Sequence, residues 1–141
     1  MVQAPVASTF VALALIPVAL LFTHALISGL RGWRYHALSG MVAVLWDLSI
    51  SVFYMLYRIF GGVVDGSVLT MTPSLTAYFA VHGIVAVIVM VLEVLIIVSG
   101  ILQLRRKGKV RIHRRLAIPL FVLWVIAFLS GEIVYVVYYV L

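Results

Sequence analysis

Apolar residues run almost unbroken through four stretches of this chain, and the polar positions between them fall into three clusters. Thr9 to Leu30, Ala37 to Tyr57, Leu75 to Leu104 and Leu116 to Leu141 can each cross a hydrocarbon layer of about 30 Å at 1.5 Å per residue. The pattern predicts an all-α integral membrane protein: an up-down four-helix bundle in a single transmembrane domain, with spans near 9–30, 37–57, 75–104 and 116–141. The first connection, Arg31-Gly32-Trp33-Arg34-Tyr35-His36, is a tight basic and aromatic turn. The second, Gly61 to Ser74, is the longest, with several glycines, one acid (Asp65) and no base. Within it, Thr72-Pro73 reads as a helix cap followed by proline at the first helical position.

The third connection lies in Leu102 to Leu116, which carries seven of the ten basic residues and no acid. Short loops rich in Lys and Arg stay on the cytoplasmic side, and positive charge suits an anionic inner leaflet. The first and third connections therefore face the cytoplasm, and both termini lie outside. Met1 to Ser8 lacks the basic region of a cleaved signal peptide, so the first apolar stretch is expected to remain as a span.

Composition sharpens this reading. Hydrophobic residues make up 66 % of the chain and charged residues 10 %, against about 25 % charged in ordinary globular domains; the mean hydropathy is +1.28. The net charge of +6 then reads as membrane orientation, and nucleic acid is excluded because no polar basic surface exists to receive it. With no cysteine, disulfides, thiolate metal sites and covalent haem attachment are also excluded. No nucleophile with a base, phosphate loop or zinc motif is present, so independent catalytic activity is not expected.

The informative residues are the ionisable ones inside the spans, where a central charge costs roughly 2.5 to 3.5 kcal/mol and usually faces the bundle interior. His36, Asp47 and Arg58 are spaced by eleven residues, about three helical turns, and so share one stripe. His82 and Glu93 repeat the step, with Gly100 on the same line. Pro17, His24, Ser28 and Arg31 form a third stripe, and Arg114, Phe121 and Glu132 a fourth. Measured from span midpoints at 1.5 Å per residue, Asp47 lies near the midplane, with His24 and Glu93 about 5 Å to the cytoplasmic side. Glu132 lies about 6 Å and His82 about 12 Å to the outer side. His36 and His113 sit at the inner boundary, and Arg58 near the outer one. The four histidines therefore cannot share one metal ion.

Three readings of these stripes stand side by side. In the first, Arg58 pairs with Glu132 and His24 with Glu93, fixing helix register without chemistry. In the second, imidazoles ligate a b-type haem, or copper, inside the bundle; His36 with His113 is the pair at one depth on different helices. In the third, His113, His36, His24, Glu93, Asp47, Glu132 and His82 form a proton ladder bridged by water. Tyr135, Tyr138 and Tyr139 at one end, with Trp33 and Tyr35 opposite, read as an interfacial belt, with a quinone pocket as the sharper alternative. Gly29, Gly40, Gly83, Gly100 and Gly131 are expected to allow close helix contact.

His82 opening the third span, the basic loop ending in His113-Arg114-Arg115, then Pro119, Gly131 and Val134-Tyr135 resemble the YozB/CtaM-like four-helix membrane family. His36 after a basic turn matches that family's histidine ahead of its second helix. The resemblance covers about residues 30 to 141 and is best in the last 60. It departs where the family tends to show His-Arg-Arg before the second helix and asparagines in the first, and Asp47 and Glu93 stand outside it. It implies a multi-pass protein of a prokaryotic plasma membrane, linked to an active haem–copper terminal oxidase. The expected function is therefore an accessory or maturation factor, or subunit, of such an oxidase. His24, His36, His82 and His113 would be candidate cofactor-binding residues, His36 and His113 the candidate ligands of haem iron or copper, and Asp47, Arg58, Glu93 and Glu132 a polar interior. The alternatives are a stand-alone b-type cytochrome between quinol and an oxidase, and a structural oxidase subunit without cofactor. Expected partners are the lipid bilayer and oxidase subunits.

Overall fold

The computed structural model describes residues 5–61, 72–106 and 111–139. Gly62 to Met71 of the long connection and Lys107 to Val110 of the basic one lie outside the described residues. Four helices account for nearly all the rest: α1 (Val6–Arg31), α2 (His36–Ile59), α3 (Pro73–Arg106) and α4 (Arg111–Tyr139). Each is long and apolar enough to cross a membrane.

The chemistry of the ends explains where the helices stop. α1 closes on Gly32, whose φ of 68° lies in the left-handed region that glycine enters without penalty. The Trp33 N–H then donates to the Ser28 carbonyl at 2.8 Å, and α2 begins at His36. α3 starts at Pro73 as predicted, with the Leu75 N–H donating to Thr72 Oγ1 at 3.2 Å. α4 differs from its expected start at 116. It begins at Arg111, because Arg111, Ile112 and His113 are ordinary helix formers and long basic side chains can keep their charge off apolar surface. That extra turn carries His113.

Contacts between helix ends fix the topology. Near the start of α1, Ser8 meets Tyr54 of α2, and Thr9 meets Tyr135 of α4. Farther along, Ala25 meets His36 and Phe22 meets Trp124. Tyr78 of α3 reaches Ser130 of α4, while Ser99 reaches His113. Helices α1 and α3 thus run one way and α2 and α4 the other, in an up-down bundle. Both short turns lie at one end, hereafter the turn end.

Val18, Phe22, Ala43, Val44, Val89, Leu120 and Trp124 form the buried core, drawn from all four helices. The outward faces are also apolar: Leu13, Leu20, Leu45, Phe53, Val87, Val91, Val122 and Ile126 are all exposed. A protein in water rarely presents so much continuous apolar surface. The α1–α2 and α3–α4 hairpins are the close pairs, and of the neighbouring helices α2 and α3 touch least.

Candidate functional site

At the turn end, His36 opens α2 and His113 sits in the first turn of α4, both half-buried. Their ring centroids are 6.0 Å apart and the rings are nearly perpendicular, at 75°. His36 Nδ1 lies 2.8 Å from the Ala25 carbonyl oxygen. A carbonyl only accepts, so Nδ1 carries the proton and Nε2 keeps its lone pair. His113 Nδ1 lies 3.1 Å from Ser99 Oγ. The Ser99 hydroxyl hydrogen is already given to the Ile96 carbonyl at 3.0 Å, so here too Nδ1 donates and Nε2 is left as the base. Both imidazoles are held in the tautomer that ligates metal through Nε2, each oriented by an outer hydrogen bond.

Two glycines make room for the rings. A Cβ on Gly29 would meet His36 Cε1 at 2.7 Å and Nδ1 at 2.8 Å; one on Gly100 would meet His113 Cε1 at 3.3 Å. Beside the pair runs an apolar cleft with a cavity of about 150 Å³, to which Phe22, Gly40, Val44, Ile97, Leu120 and Phe121 contribute.

His82, near the start of α3, sits toward the other end in the same kind of seat. Its Nδ1 lies 2.8 Å from Ser130 Oγ, whose hydrogen goes to the Ala127 carbonyl at 2.9 Å. Gly131 packs against the ring, a Cβ there meeting His82 Cε1 at 3.5 Å. Two imidazoles therefore rest on Ser-Gly steps of neighbouring helices, His113 on Ser99-Gly100 and His82 on Ser130-Gly131, while His36 lies on Gly29 and bonds the Ala25 carbonyl to which the Ser28 hydroxyl also donates. The glycines were expected to permit close approach of helices; what they admit at these positions is imidazole. The serines carry roles that stripe-by-stripe reading missed. The signal was present, because the chain has four Ser-Gly steps within its helices, Ser39-Gly40 being the fourth.

The centre of the bundle holds a second constellation. Asp47 is 4 % exposed and Glu93 not at all. Trp124 Nε1–H donates to Asp47 Oδ1 at 3.0 Å, and the Ser51 hydroxyl approaches Oδ2 at 3.5 Å. The Glu93 carboxyl comes up against that of Asp47, yet neither Glu93 oxygen has a hydrogen-bond partner among the described residues.

In the register-fixing reading His24 pairs with Glu93; instead His24 is exposed on the outer side of α1, its ring 6.3 Å from that of Trp33, while Glu93 is enclosed. The buried face of α1 is Ala12, Val18, Phe22, Ala25 and Ser28, so His24 and Arg31 stand outside the stripe that Ser28 joins. Arg114 and Arg58 are exposed and Glu132 half-buried. Among the described residues no group of three His, Cys, Asp or Glu side chains could hold one metal ion. The aromatic ends are separated as predicted. Tyr135 donates to Thr9 Oγ1 at 3.0 Å at one end, and Trp33 and Tyr35 lie under the Arg31 and Arg34 guanidiniums at the other. The side chain of Tyr138 lies outside the described residues. Comparison with family models, curated proteins and solved structures gave no match.

Proposed function

We propose that this chain is a multi-pass protein of a prokaryotic plasma membrane that holds a b-type haem between His36 and His113 and passes electrons beside a haem–copper terminal oxidase. The spacing and tautomers of the two imidazoles carry this reading. The two rings stand on different helices with their centroids 6.0 Å apart, and each has its Nδ1 engaged, so Nε2 of both would be the atoms to hold a metal group. Two nitrogens alone make a poor site for a bare copper or zinc ion, which wants three or four protein ligands. A haem would bring most of its own donors and would ask of the protein only the two that His36 and His113 offer.

When bound between His36 and His113, such a group would supply one-electron redox chemistry. The chain's own residues do the rest. Ala25 and Ser99 fix the imidazole tautomers, Gly29 and Gly100 let the rings lie against helix backbone, and the apolar cleft lined by Phe22, Val44, Leu120 and Phe121 excludes water. The arginines of both turns, Arg31, Arg34, Arg111, Arg114 and Arg115, collect at the same end. The positive-inside tendency supports an orientation with the imidazole pair near the cytoplasmic surface and both termini outside.

The resemblance of the His36, His82 and His113 pattern to YozB/CtaM-like proteins favours a second reading, in which the bound group is handed on during oxidase maturation. The visible spectrum of protein purified in mild detergent tests both. A Soret band that shifts on reduction, lost in His36→Ala and in His113→Ala and kept in His82→Ala, is the expected result. Full-length, folded protein that takes up no haem from a haem-replete host or from added haemin refutes the proposal.

A further inference from the structure

The carboxyl pair at the centre of the bundle has no part in holding a group at His36 and His113. Gly100, on which the His113 ring rests, lies seven residues from Glu93, about 10 Å along α3. Both carboxyls are buried in a bundle whose core draws Val18 and Phe22 from α1, Ala43 and Val44 from α2, Val89 from α3, and Leu120 and Trp124 from α4. The side chains that act on the two carboxyls are Trp124, Ser51 and each other.

Hydrogen-bond satisfaction decides what such a pair can hold. Asp47 receives two donors, Trp124 Nε1–H and the Ser51 hydroxyl. Glu93, wholly enclosed, receives none. A buried carboxylate with no donor is among the most costly groups a protein can carry, and in apolar surroundings two adjacent carboxylates cannot both stay charged without a counter-ion. A single proton resolves both problems: Glu93 becomes a donor, Asp47 is its acceptor, and the pair carries one charge. A metal cation is the poorer fit, because hard cations take six or more oxygen ligands, while this site offers four carboxylate oxygens, two of them already engaged.

We infer that Asp47 and Glu93 form a proton-binding site at the centre of the bundle, one exchangeable proton shared between the two carboxyls and Trp124 holding Asp47 in place. No covalent bond other than O–H is made or broken: the proton comes from water and returns to it. The site is independent of any group held at the turn end, so this inference and the haem proposal can fail separately.

Infrared spectroscopy of the purified full-length chain, without added haem, tests it. At neutral pH the spectrum should contain the carbonyl stretch of an un-ionised carboxylic acid, shifted in D2O, absent in Glu93→Gln and retained in Glu132→Gln. Asp47→Asn, which offers Glu93 an amide in place of a carboxyl, should keep an acid band but move its frequency. If Glu93→Gln fails to fold by circular dichroism, the wild type against Asp47→Asn decides alone. A wild-type spectrum with no acid band assignable to the pair overturns the inference. So does a band indifferent to D2O, a band unmoved by Asp47→Asn, or loss of the band on adding sodium chloride but not choline chloride, which would mark a cation site.

Discussion

Gly29→Ala puts the imidazole seat under direct test. The added Cβ would stand 2.7 Å from His36 Cε1, 2.8 Å from Nδ1 and 3.3 Å from Nε2. Ordinary contact between such atoms is 3.4 Å or more, so the ring must retreat by roughly 0.7 Å or the two helices must part. The Ala25 carbonyl bond, now 2.8 Å, cannot survive much of that movement, and its loss costs about 0.5 to 1.5 kcal/mol. Overpacking a tight contact adds about 1 to 3 kcal/mol, while alanine returns about 1 kcal/mol of helix propensity. The net expectation is a modest loss of stability with a larger loss of ligand geometry. Gly100→Ala meets His113 at only 3.3 and 3.6 Å, and Gly83→Ala meets nothing within 4 Å. Haem occupancy per chain should therefore fall steeply in Gly29→Ala, mildly in Gly100→Ala and not at all in Gly83→Ala. Thermal unfolding in detergent should rank the three variants the same way, Gly83→Ala being as stable as the wild type or more so. Full occupancy in Gly29→Ala, or equal damage from Gly83→Ala, refutes the reasoning.

Other expectations follow from single contacts. Ser99→Ala removes the acceptor of the His113 Nδ1–H and should weaken haem binding about 10- to 100-fold in a haemin titration, whereas Ser130→Ala should leave that titration unchanged. Trp124→Phe strips Asp47 of its best donor and should cost about 1 to 3 kcal/mol or more, read as a fall in unfolding midpoint. Glu93→Leu removes the acid that donates its proton to Asp47 and leaves that buried carboxyl short of a donor, so stability should fall by about 1 to 3 kcal/mol; an unchanged or raised unfolding midpoint would mean that the two carboxyls share no proton. Thr72→Ala deletes the α3 cap and should cost about 1 kcal/mol, visible as faster hydrogen exchange in the first turn of α3.

The four helices were legible because nothing but a long apolar run is needed to write one, and the α3 cap because Thr-Pro has few other uses. Pairing His36 with His113 was also within reach, since depth alone brings them level. Helix rotation was harder to read. Ser28 and His24 are four residues apart on α1, close enough to share a face on paper, yet one is buried and the other faces outward. When both faces of a helix are apolar, hydropathy gives no angle. Pairing Glu93 with His24 by depth failed for the same reason, since equal level says nothing of azimuth. Asp47, with its indole donor, is the partner the fold supplies. The serines under the imidazoles were missed because serine is common in helices of every kind, and only its recurrence before glycine marks it out.

One imidazole stands on α2 of the first hairpin and its counterpart on α4 of the second. A cofactor clasped between them would act as a rivet from one hairpin to the other. Each hairpin could then enter the bilayer alone and dock late, so that two separately expressed halves should reassemble only when the pigment is supplied.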